Sequence, residues 1–308
     1  MMETVRIAAE QIKKLEVQGA RNVAIAALKA LQTMADQTKA KNKTAFLNEL
    51  KEAQTILFSS RETEPLMRNA IRWVITQIQD CSTEKVEVLS QMVSSNVSLF
   101  LQNLEASRER AAEIGAKRIR DGMLVFTHCH SSTVTRMIVK AKNDGKTFSV
   151  ICTETRPAFQ GRITAREMIE NNIQTMFIVD SAARSYMGDV DIVVVGADAI
   201  TSEGNLVNKI GTSAISVLAN EARKPFYAVS ELLKFDPETL EGECEKIENR
   251  NPNEVWKDAP EKISVRNPAF DITPNKYIHG YICEEGIIAP QSIVETVYRS
   301  YPWVLKHI

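Results

Sequence analysis

Short apolar runs alternate with helical segments from about Gly115 onwards, and this alternation restricts the fold more than any other feature of the sequence. Each run is rich in β-branched residues. Continuous apolar runs separated by helices are typical of parallel strands that are buried on both faces of a sheet. The predicted strands are Met123–Thr127, Phe148–Thr153, Thr175–Val179, Asp191–Val195, Phe226–Val229 and Tyr277–Cys283.

Helices are predicted both between these runs and before them. Residues 1–112 contain a single proline, Pro65, and are rich in Ala, Leu, Lys and Gln, which are strong helix formers. The later helices are predicted at Ser132–Asn143, Ala165–Asn171 and Asn208–Glu221. The predicted fold is therefore α/β, with an N-terminal helical domain (1–112) followed by a doubly wound, mostly parallel, Rossmann-like catalytic domain (113–308).

The composition excludes several classes of function. Lys and Arg total 38 against 39 Asp and Glu, and they are spread along the chain, so we expect no nucleic-acid partner. No apolar run is long enough to span a bilayer and no signal peptide is evident, so we expect no membrane association and a cytoplasmic location. Five cysteines without a CxxC pair argue against a disulfide framework or a zinc site. No GxGxxG or Walker sequence is present, so we expect no nucleotide cofactor.

Polar residues follow the predicted strands, at the edge where ligands bind in doubly wound sheets. Cys129 follows the first strand and precedes a helix whose first turn contains Ser131, Ser132 and Thr133. The N-terminus of a helix lowers the pKa of a nearby thiol and offers free N–H groups to an anion. This segment is thus a candidate for both a reactive thiolate and a phosphate site. The alternative is an unreactive buried cysteine, the usual state of a free cysteine.

Two histidines, His128 and His130, flank this cysteine. In an extended segment they would point the same way and could share a metal ion. Only His279 and His307 remain as further histidines, so a third ligand would have to be a carboxylate or a thiolate. We expect no metal, and we expect the two histidines to orient the turn or to contact the substrate.

Asp198 comes shortly after the apolar run Ile192–Val195. A carboxyl group in apolar surroundings tends to stay protonated and can then act as a general acid. The alternative is a turn or cap residue, which is a common position for Asp. An ammonium close to Asp198 would ionise it, but we expect Lys209 to face a phosphate, with Gly211 and Thr212 at a helix start.

Three further cations, Arg156, Arg162 and Lys234, follow the second and fifth predicted strands. They are weaker candidates, because a cation on a protein surface is usually only solvated.

Five motifs together resemble the superfamily of the translation initiation factor 2B alpha, beta and delta subunits and the related sugar-phosphate isomerases. The resemblance runs from about Gly19 to Ile288. Within that superfamily the chain is most similar to the archaeal ribose-1,5-bisphosphate isomerases, which Arg266–Pro274 and Glu285–Ile288 also fit. The five motifs are Thr127-His128-Cys129-His130-Ser131, Thr153-Glu154-Thr155-Arg156-Pro157 with Gln160-Gly161, Asp180-Ser181-Ala182-Ala183, Gly196-Ala197-Asp198 and Asn208-Lys209-Ile210-Gly211-Thr212.

This resemblance implies an enzyme with a catalytic pair at Cys129 and Asp198. Regulatory subunits of the initiation factor commonly lack that pair. The resemblance also implies a homo-oligomer, either a dimer or a hexamer. The implied substrate contacts are Gly19, Ala20, Arg21, Arg61, Ser131, Ser132, Thr133, Asn208, Lys209 and Lys234.

The chain departs from the isomerase pattern in two loops. It has Gln18-Gly19-Ala20-Arg21 where those isomerases typically have Arg-Gly-Ala-Gly, so a cation has moved by three positions. It also has Arg61-Glu62-Thr63 in place of Arg-Pro-Thr, and Glu62 adds a negative charge beside an expected phosphate.

The reaction implied by the resemblance is conversion of ribose 1,5-bisphosphate to ribulose 1,5-bisphosphate in nucleotide salvage, without a cofactor. The thiolate of Cys129 would act as the base and Asp198 as the proton donor, in a cleft closed by the helical domain. One alternative is methylthioribose-1-phosphate isomerase, which would need an apolar pocket in place of Arg21, Arg61 and Lys234. The other is a non-catalytic regulatory subunit, which has no reason to keep an acidic thiol.

Overall fold

The computed structural model of the protein describes residues 2–61, 63–243 and 245–307, without the side chains of Lys306 and His307. Glu62, which the sequence predicts beside a phosphate, lies outside the described residues.

Five helices form the N-terminal part of the chain, in agreement with its composition. Helix α2 begins after Gly19, whose φ of 84° is in the left-handed region that glycine tolerates. The side chain of Asn42 caps α3 by accepting a hydrogen bond from the N–H of Ala45, and Pro65 occupies the first position of α4. The bounds are α1 Met2–Lys13, α2 Ala20–Asp36, α3 Lys43–Phe58, α4 Pro65–Gln79 and α5 Val86–Ala116.

Helix α5 is 31 residues long and runs through residue 112 without a break. The predicted division of the chain after residue 112 stays a prediction. One buried apolar cluster extends from the N-terminal helices, for example Leu28 and Ile71, to Phe126 and Val193 in the sheet. The helical part and one face of the sheet therefore share a continuous core.

The remaining residues form a large sheet and a small one. The strands are β1 Leu124–Thr127, β2 Ser149–Thr153, β3 Gln174–Ile178, β4 Ile192–Val195, β5 Ala199–Ile200, β6 Leu206–Lys209, β7 Phe226–Val229, β8 Phe270–Thr273, β9 Gly280–Cys283 and β10 Gly286–Ile288. The large sheet has the order β10-β9-β7-β4-β1-β2-β3, and only β10 is antiparallel to its neighbour. The six predicted strands and the mostly parallel sheet are thus confirmed. Strands β5, β6 and β8 form the small antiparallel sheet.

Helices cover both faces of the large sheet, as a doubly wound fold requires. Alternate residues of β1 show the two faces: Val125 packs in a cluster with Val134 of α6, and Phe126 packs in another with Ile215 of α9. The helices after β1 are α6 Ser132–Asn143, α7 Gly161–Glu170, α8 Ala183–Tyr186, α9 Thr212–Glu221 and α10 Ile293–Ser300. None of the helices in the described ranges is long and apolar enough to cross a membrane.

The prediction that Asn208 and Lys209 open a helix is wrong. Both residues lie at the end of β6, where they pair with Asp271 and Phe270 of β8. The helix begins at Thr212, after Gly211 turns the chain with a φ of 104°. Pairing with a strand more than 60 positions later in the sequence has no local signal, which is why the sequence does not predict it.

The direction of winding reverses between β1 and β4. From β1 the chain moves outward through β2 and β3, then returns to place β4 on the other side of β1. Ligands of doubly wound folds bind in the crevice beyond the carboxyl ends of the strands at this point. The loops that follow β1 and β4 contain Cys129 and Asp198.

Candidate active site

A cavity of about 380 Å³ lies at this switch point. It brings together every residue that the resemblance implies: Gly19, Ala20, Arg21, Arg61, Cys129, Ser131, Ser132, Thr133, Asp198, Asn208, Lys209 and Lys234. Their roles in catalysis stay predictions. Six other polar or aromatic lining residues were not predicted as contacts from the sequence: Gln18, Asn22, Arg108, Gln160, Arg250 and Phe270.

The backbone of Cys129 has a φ of 69°, which is uncommon for a residue with a side chain. Hydrogen bonds on both sides of the residue hold this conformation. The N–H of Cys129 donates to Oγ1 of Thr155 at 2.9 Å, and its carbonyl accepts from Oγ1 of Thr164 at 2.9 Å. The loop after β2 and helix α7 therefore fix the turn that presents the thiol.

His128 lies beneath the turn and is buried. Its Nε2 is 2.9 Å from the carbonyl of Ile210, which can only accept, so Nε2 carries the proton. In the neutral ring Nδ1 then accepts from Oγ1 of Thr153 at 2.6 Å. Burial lowers the pKa of His128, which favours this neutral form. His128 thus joins the ends of β1, β2 and β6 and orients the turn, as the sequence predicts.

His130 lines the cavity on the other side of the thiol. Thr164 uses its hydroxyl proton on the carbonyl of Cys129, so Nδ1 of His130 donates to the Thr164 oxygen, at 3.1 Å. Burial lowers the pKa of His130 as well. Among the described residues no group of three His, Cys, Asp or Glu side chains is arranged to hold a metal ion.

The loops after β1 and β4 approach each other closely at Gly196. A Cβ atom at Gly196 would lie 2.7 Å from Cβ of Ser131, so a residue with a side chain would displace the turn after Cys129. Two residues later, the backbone N–H of Asp198 donates to the carbonyl of Val207 at 2.9 Å. The carboxylate of Asp198 makes no hydrogen bond or ion pair with the described part of the chain, and it lines the cavity. It is therefore available to a ligand.

The thiol of Cys129 is not acidic in this structure, so the prediction of a lowered pKa is wrong for the protein without ligand. Burial raises the pKa of Cys129 to about 11, although the charge of Lys209 lowers it. The charge of Asp198 acts in the same direction as burial. Cys129 is partly exposed to the cavity, but burial of its thiol disfavours the thiolate, and this effect on the pKa outweighs that of the helix that starts at Ser132.

Lys209 is only 5% exposed and has no carboxylate partner among the described residues. Its ammonium lies 4.9 Å from the centre of the Phe270 ring, a cation–π distance. Burial lowers the pKa of Lys209, whereas the charges of Cys129 and Asp198 raise it. A buried cation that lines a cavity without a counter-ion is suited to an anionic ligand.

The start of α9 is not part of this anion site, contrary to the prediction for Gly211 and Thr212. The carboxylate of Asp271 accepts from the N–H groups of Gly211 at 2.7 Å and Ser213 at 3.1 Å. The hydroxyl of Thr212 donates to the carbonyl of Lys209 at 2.6 Å. The protein itself therefore satisfies the donors that the sequence predicts for phosphate.

One group of cations comes from the helices α2 and α5. Arg21 and Arg108 both line the cavity and both pair with Glu105, Arg108 at 2.6 Å. Burial and the neighbouring charge of Arg108 lower the pKa of Arg21. Arg21, which stands three positions after the arginine of the isomerase pattern, thus also lies in the cavity wall. The side chain of Gln18 donates a hydrogen bond to the carbonyl of Leu15 at 3.0 Å.

A second group of cations lies near Lys209. Arg61 is 6% exposed and pairs with Glu64 at 3.2 Å and with Glu248 at 3.6 Å. Glu248 also pairs with Arg250 at 3.5 Å, so the two acids hold two arginines that line the cavity. Neither Arg250 nor Glu64 belongs to a recognisable sequence motif. Only the tertiary packing of the chain brings them to this site.

Of the three weaker cation candidates, Lys234 lies at the cavity, whereas Arg156 and Arg162 do not. Lys234 lines the cavity, donates to the carbonyl of Ala197 at 2.7 Å and lies 3.6 Å from Glu231. Arg156 and Arg162 do not line the cavity, so they are not brought to the site. Their guanidinium groups pack on the ring of Phe159, at 5.0 and 3.9 Å from its centre.

The fold and the cavity together define an α/β protein with a cationic pocket and a cysteine–aspartate pair at the switch point of a parallel sheet. The chain belongs to the Initiation factor 2 subunit family, whose family model matches residues 16–290. It is 42% identical over 306 residues to the ribose 1,5-bisphosphate isomerase of Thermococcus kodakarensis, covering 97% of this chain and 95% of that protein. It is 35% identical to the 5-deoxyribose 1-phosphate isomerase of Moorella thermoacetica, covering 91% and 85%.

Solved structures with the same fold include two proteins of Pyrococcus horikoshii. The translation initiation factor eIF-2B has a TM-score of 0.82 and 29% identity, covering 94% of this chain and 98% of that one. The 5-methylthioribose 1-phosphate isomerase has a TM-score of 0.77 and 29% identity, covering 96% and 87%. The superfamily resemblance read from the five motifs is thus confirmed.

Proposed function

We propose that this chain is an aldose–ketose isomerase that converts ribose 1,5-bisphosphate to ribulose 1,5-bisphosphate. The observation that carries the proposal is a single cavity in which Cys129 and Asp198 meet two groups of cationic side chains. One group pairs with Glu105 and the other with Glu64 and Glu248, and the two share no carboxylate among the described residues. Two separate cationic groups suit a substrate with two phosphates.

The reaction moves protons and needs no external oxidant or reductant. A base removes the proton on C2 while an acid protonates the ring oxygen as the bond from C1 to that oxygen opens. The resulting enol then takes up a proton at C1 and loses its hydroxyl proton at C2, which gives the ketose. We assign the base to Cys129 and the acid to Asp198; each such group typically contributes about 10²–10⁴-fold to the rate.

The thiol must lose its proton before it can act as the base, and the carboxylate of Asp198 must take up a proton before it can act as the acid. The charge of Lys209 favours the thiolate, and burial opposes it.

The enol intermediate must also be protected from water. The helical part of the chain covers the cavity through Gly19, Arg21 and Arg61, which line it.

The nature of the cavity wall favours a bisphosphate over the alternatives. A thioether group, as in methylthioribose 1-phosphate, would need an apolar surface, whereas four arginine and two lysine side chains line this cavity. A regulatory subunit has no need of a cysteine and an unpaired carboxylate in one cavity. Relatives from several archaea carry the name ribose 1,5-bisphosphate isomerase.

We further propose that the chain acts in the cytoplasm as a homo-oligomer, a dimer or a hexamer. Light scattering of the purified chain decides the number of subunits: a monomer at micromolar concentration would contradict this proposal.

The activity is tested by incubating the purified chain with α-ribose 1,5-bisphosphate and following ribulose 1,5-bisphosphate. We expect product from the wild type and a loss of at least about 100-fold for Cys129→Ser and for Asp198→Asn. Methylthioribose 1-phosphate is the matched substrate control. Turnover of that compound alone, or of neither compound by a folded protein, would refute the proposal.

A further inference from the structure

The carboxylate of Glu64 lies behind the cavity wall, and its only partner among the described residues is an arginine. Glu64 is fully buried, and neither carboxylate oxygen makes a hydrogen bond to the described residues. It directly precedes α4, and its side chain makes no capping hydrogen bond to that helix. Within the described part of the chain, its one ion pair is with Nη1 of Arg61, at 3.2 Å. The compensation of this buried charge therefore depends on Arg61.

Arg61 in turn has unused hydrogen-bonding capacity. Its Nε and Nη1 atoms are buried and make no hydrogen bond to residues that the structure describes, although carboxylates lie at ion-pair distance. A guanidinium group binds a phosphate most strongly through two parallel N–H donors. Arg61 also lines the cavity, so a phosphate that enters it can approach the guanidinium group as a further anion.

We propose that Glu64 is a positioning residue, which holds Arg61 in the cavity wall and takes up a proton when a phosphate dianion binds Arg61. This inference rests on the proposed function only in assuming a substrate that bears phosphate. Two anions beside one guanidinium repel each other in a desolvated site, and the carboxylate is the one that can be neutralised by a proton.

The surroundings of Glu64 support a proton uptake near neutral pH. The charged groups whose fields reach it are Arg61, Lys234, Asp198 and Glu248. Burial raises the pKa of Glu64 to about 7; Arg61 and Lys234 oppose this, and the two acids reinforce it. In the free protein at pH 7 the carboxyl group is thus close to half protonated, and a bound dianion would shift it further towards the neutral form.

Sulfate is the probe for this inference, because it is a dianion throughout the pH range of interest. We expect titration calorimetry at pH 7, in two buffers of different ionisation enthalpy, to show uptake of about half a proton per sulfate. Between pH 6 and pH 8 we expect the Kd for sulfate to rise about tenfold as Glu64 becomes ionised. These two results need no variant.

Two variants locate the effect. Glu64→Gln keeps the shape of the side chain and removes its charge, so we expect a nearly constant Kd from pH 6 to 8 and about tenfold tighter binding than the wild type at pH 8. Glu248→Gln is the matched control, because it removes the other carboxylate beside Arg61. Glu248 is the smallest of the named influences on the pKa of Glu64, so we expect proton uptake to persist in this variant.

Three results would overturn the inference: wild-type proton uptake in Glu64→Gln, loss of that uptake in Glu248→Gln, or no binding of sulfate to the wild type at pH 6. None of these measurements contains a sugar. They decide the role of Glu64 even if the chain does not isomerise ribose 1,5-bisphosphate, a question that the isomerase assay decides by itself.

Discussion

At the scale of single residues, Cys129 combines a constrained backbone with a thiol that resists ionisation. The left-handed conformation is held by Thr155 and Thr164, so the sulfur is positioned by bonds to its main chain. Conformations of this kind cost free energy and persist where the surrounding structure enforces them. The position of the thiol is thus set before substrate arrives, whereas its charge is not.

We expect alkylation of Cys129 by iodoacetamide to be slow at pH 7 and to accelerate about tenfold per pH unit up to pH 10. Only the thiolate reacts, and a pKa of about 11 leaves a small thiolate fraction at neutral pH. Mass spectrometry of the peptide that contains Cys129 measures the rate, and Cys129→Ser identifies the peptide. A fast rate that is constant between pH 6 and 8 would show instead that the thiol is already ionised.

At the scale of elements, one side chain joins helix α4 to the segment that bears Lys234. Asn69 is fully buried, and its Nδ2 donates to the carbonyls of Leu233 at 2.9 Å and Phe235 at 2.8 Å. These two bonds flank Lys234 on both sides. A helix of the N-terminal part therefore fixes the backbone of a residue in the cavity wall.

We expect Asn69→Ala to lower the free energy of unfolding by about 2–4 kcal/mol, because two buried carbonyl groups lose their donors. We also expect a higher KM, since Lys234 loses its fixed backbone. Chemical denaturation and steady-state kinetics measure the two effects. Asn220→Ala, on the exposed side of α9, is the matched control and should change neither. An Asn69→Ala protein with unchanged KM would separate Asn69 from the site.

Strands and helices could be predicted from the sequence where the pattern is local, whereas the pKa of the Cys129 thiol could not. The runs of β1 and β7 are continuous and apolar, so their bounds are within one residue of the prediction. Strand β6 pairs with the distant Phe270–Thr273, and no window of sequence contains both. The helix after Cys129 is visible in the sequence, but the desolvation that raises the thiol pKa depends on the folded cavity.

At the scale of the whole molecule, several acids are buried in ways that favour their protonated forms. Burial is the leading cause in each case, raising the pKa of Glu64 and of Glu284 to about 7 and that of Glu245 to about 9. The folded protein therefore binds more protons than the unfolded chain between the ordinary pKa of a glutamate and these values. Under linkage, such groups make the protein less stable as the pH rises through that range.

We expect the free energy of unfolding to fall by roughly 3 kcal/mol or more between pH 6.5 and 8.5. The lowered pKa values of His128 and His130 act in the opposite direction, but chiefly below pH 6.5. Urea denaturation at several pH values measures the slope. Glu245→Gln should reduce it by about one proton, or about 1.4 kcal/mol per pH unit. A stability that rises between pH 6.5 and 8.5 would contradict the assignment.

The cavity is lined by residues from Gln18 to Phe270, and this span has a consequence for the order of events during synthesis. Gln18 is synthesised long before Phe270. A growing chain therefore has no complete pocket until β8 has left the ribosome and paired with β6. Substrate can therefore stabilise only the finished protein and gives no assistance to earlier folding. A chain cut short before Phe270 would lose the pocket even though most of its large sheet had already been made.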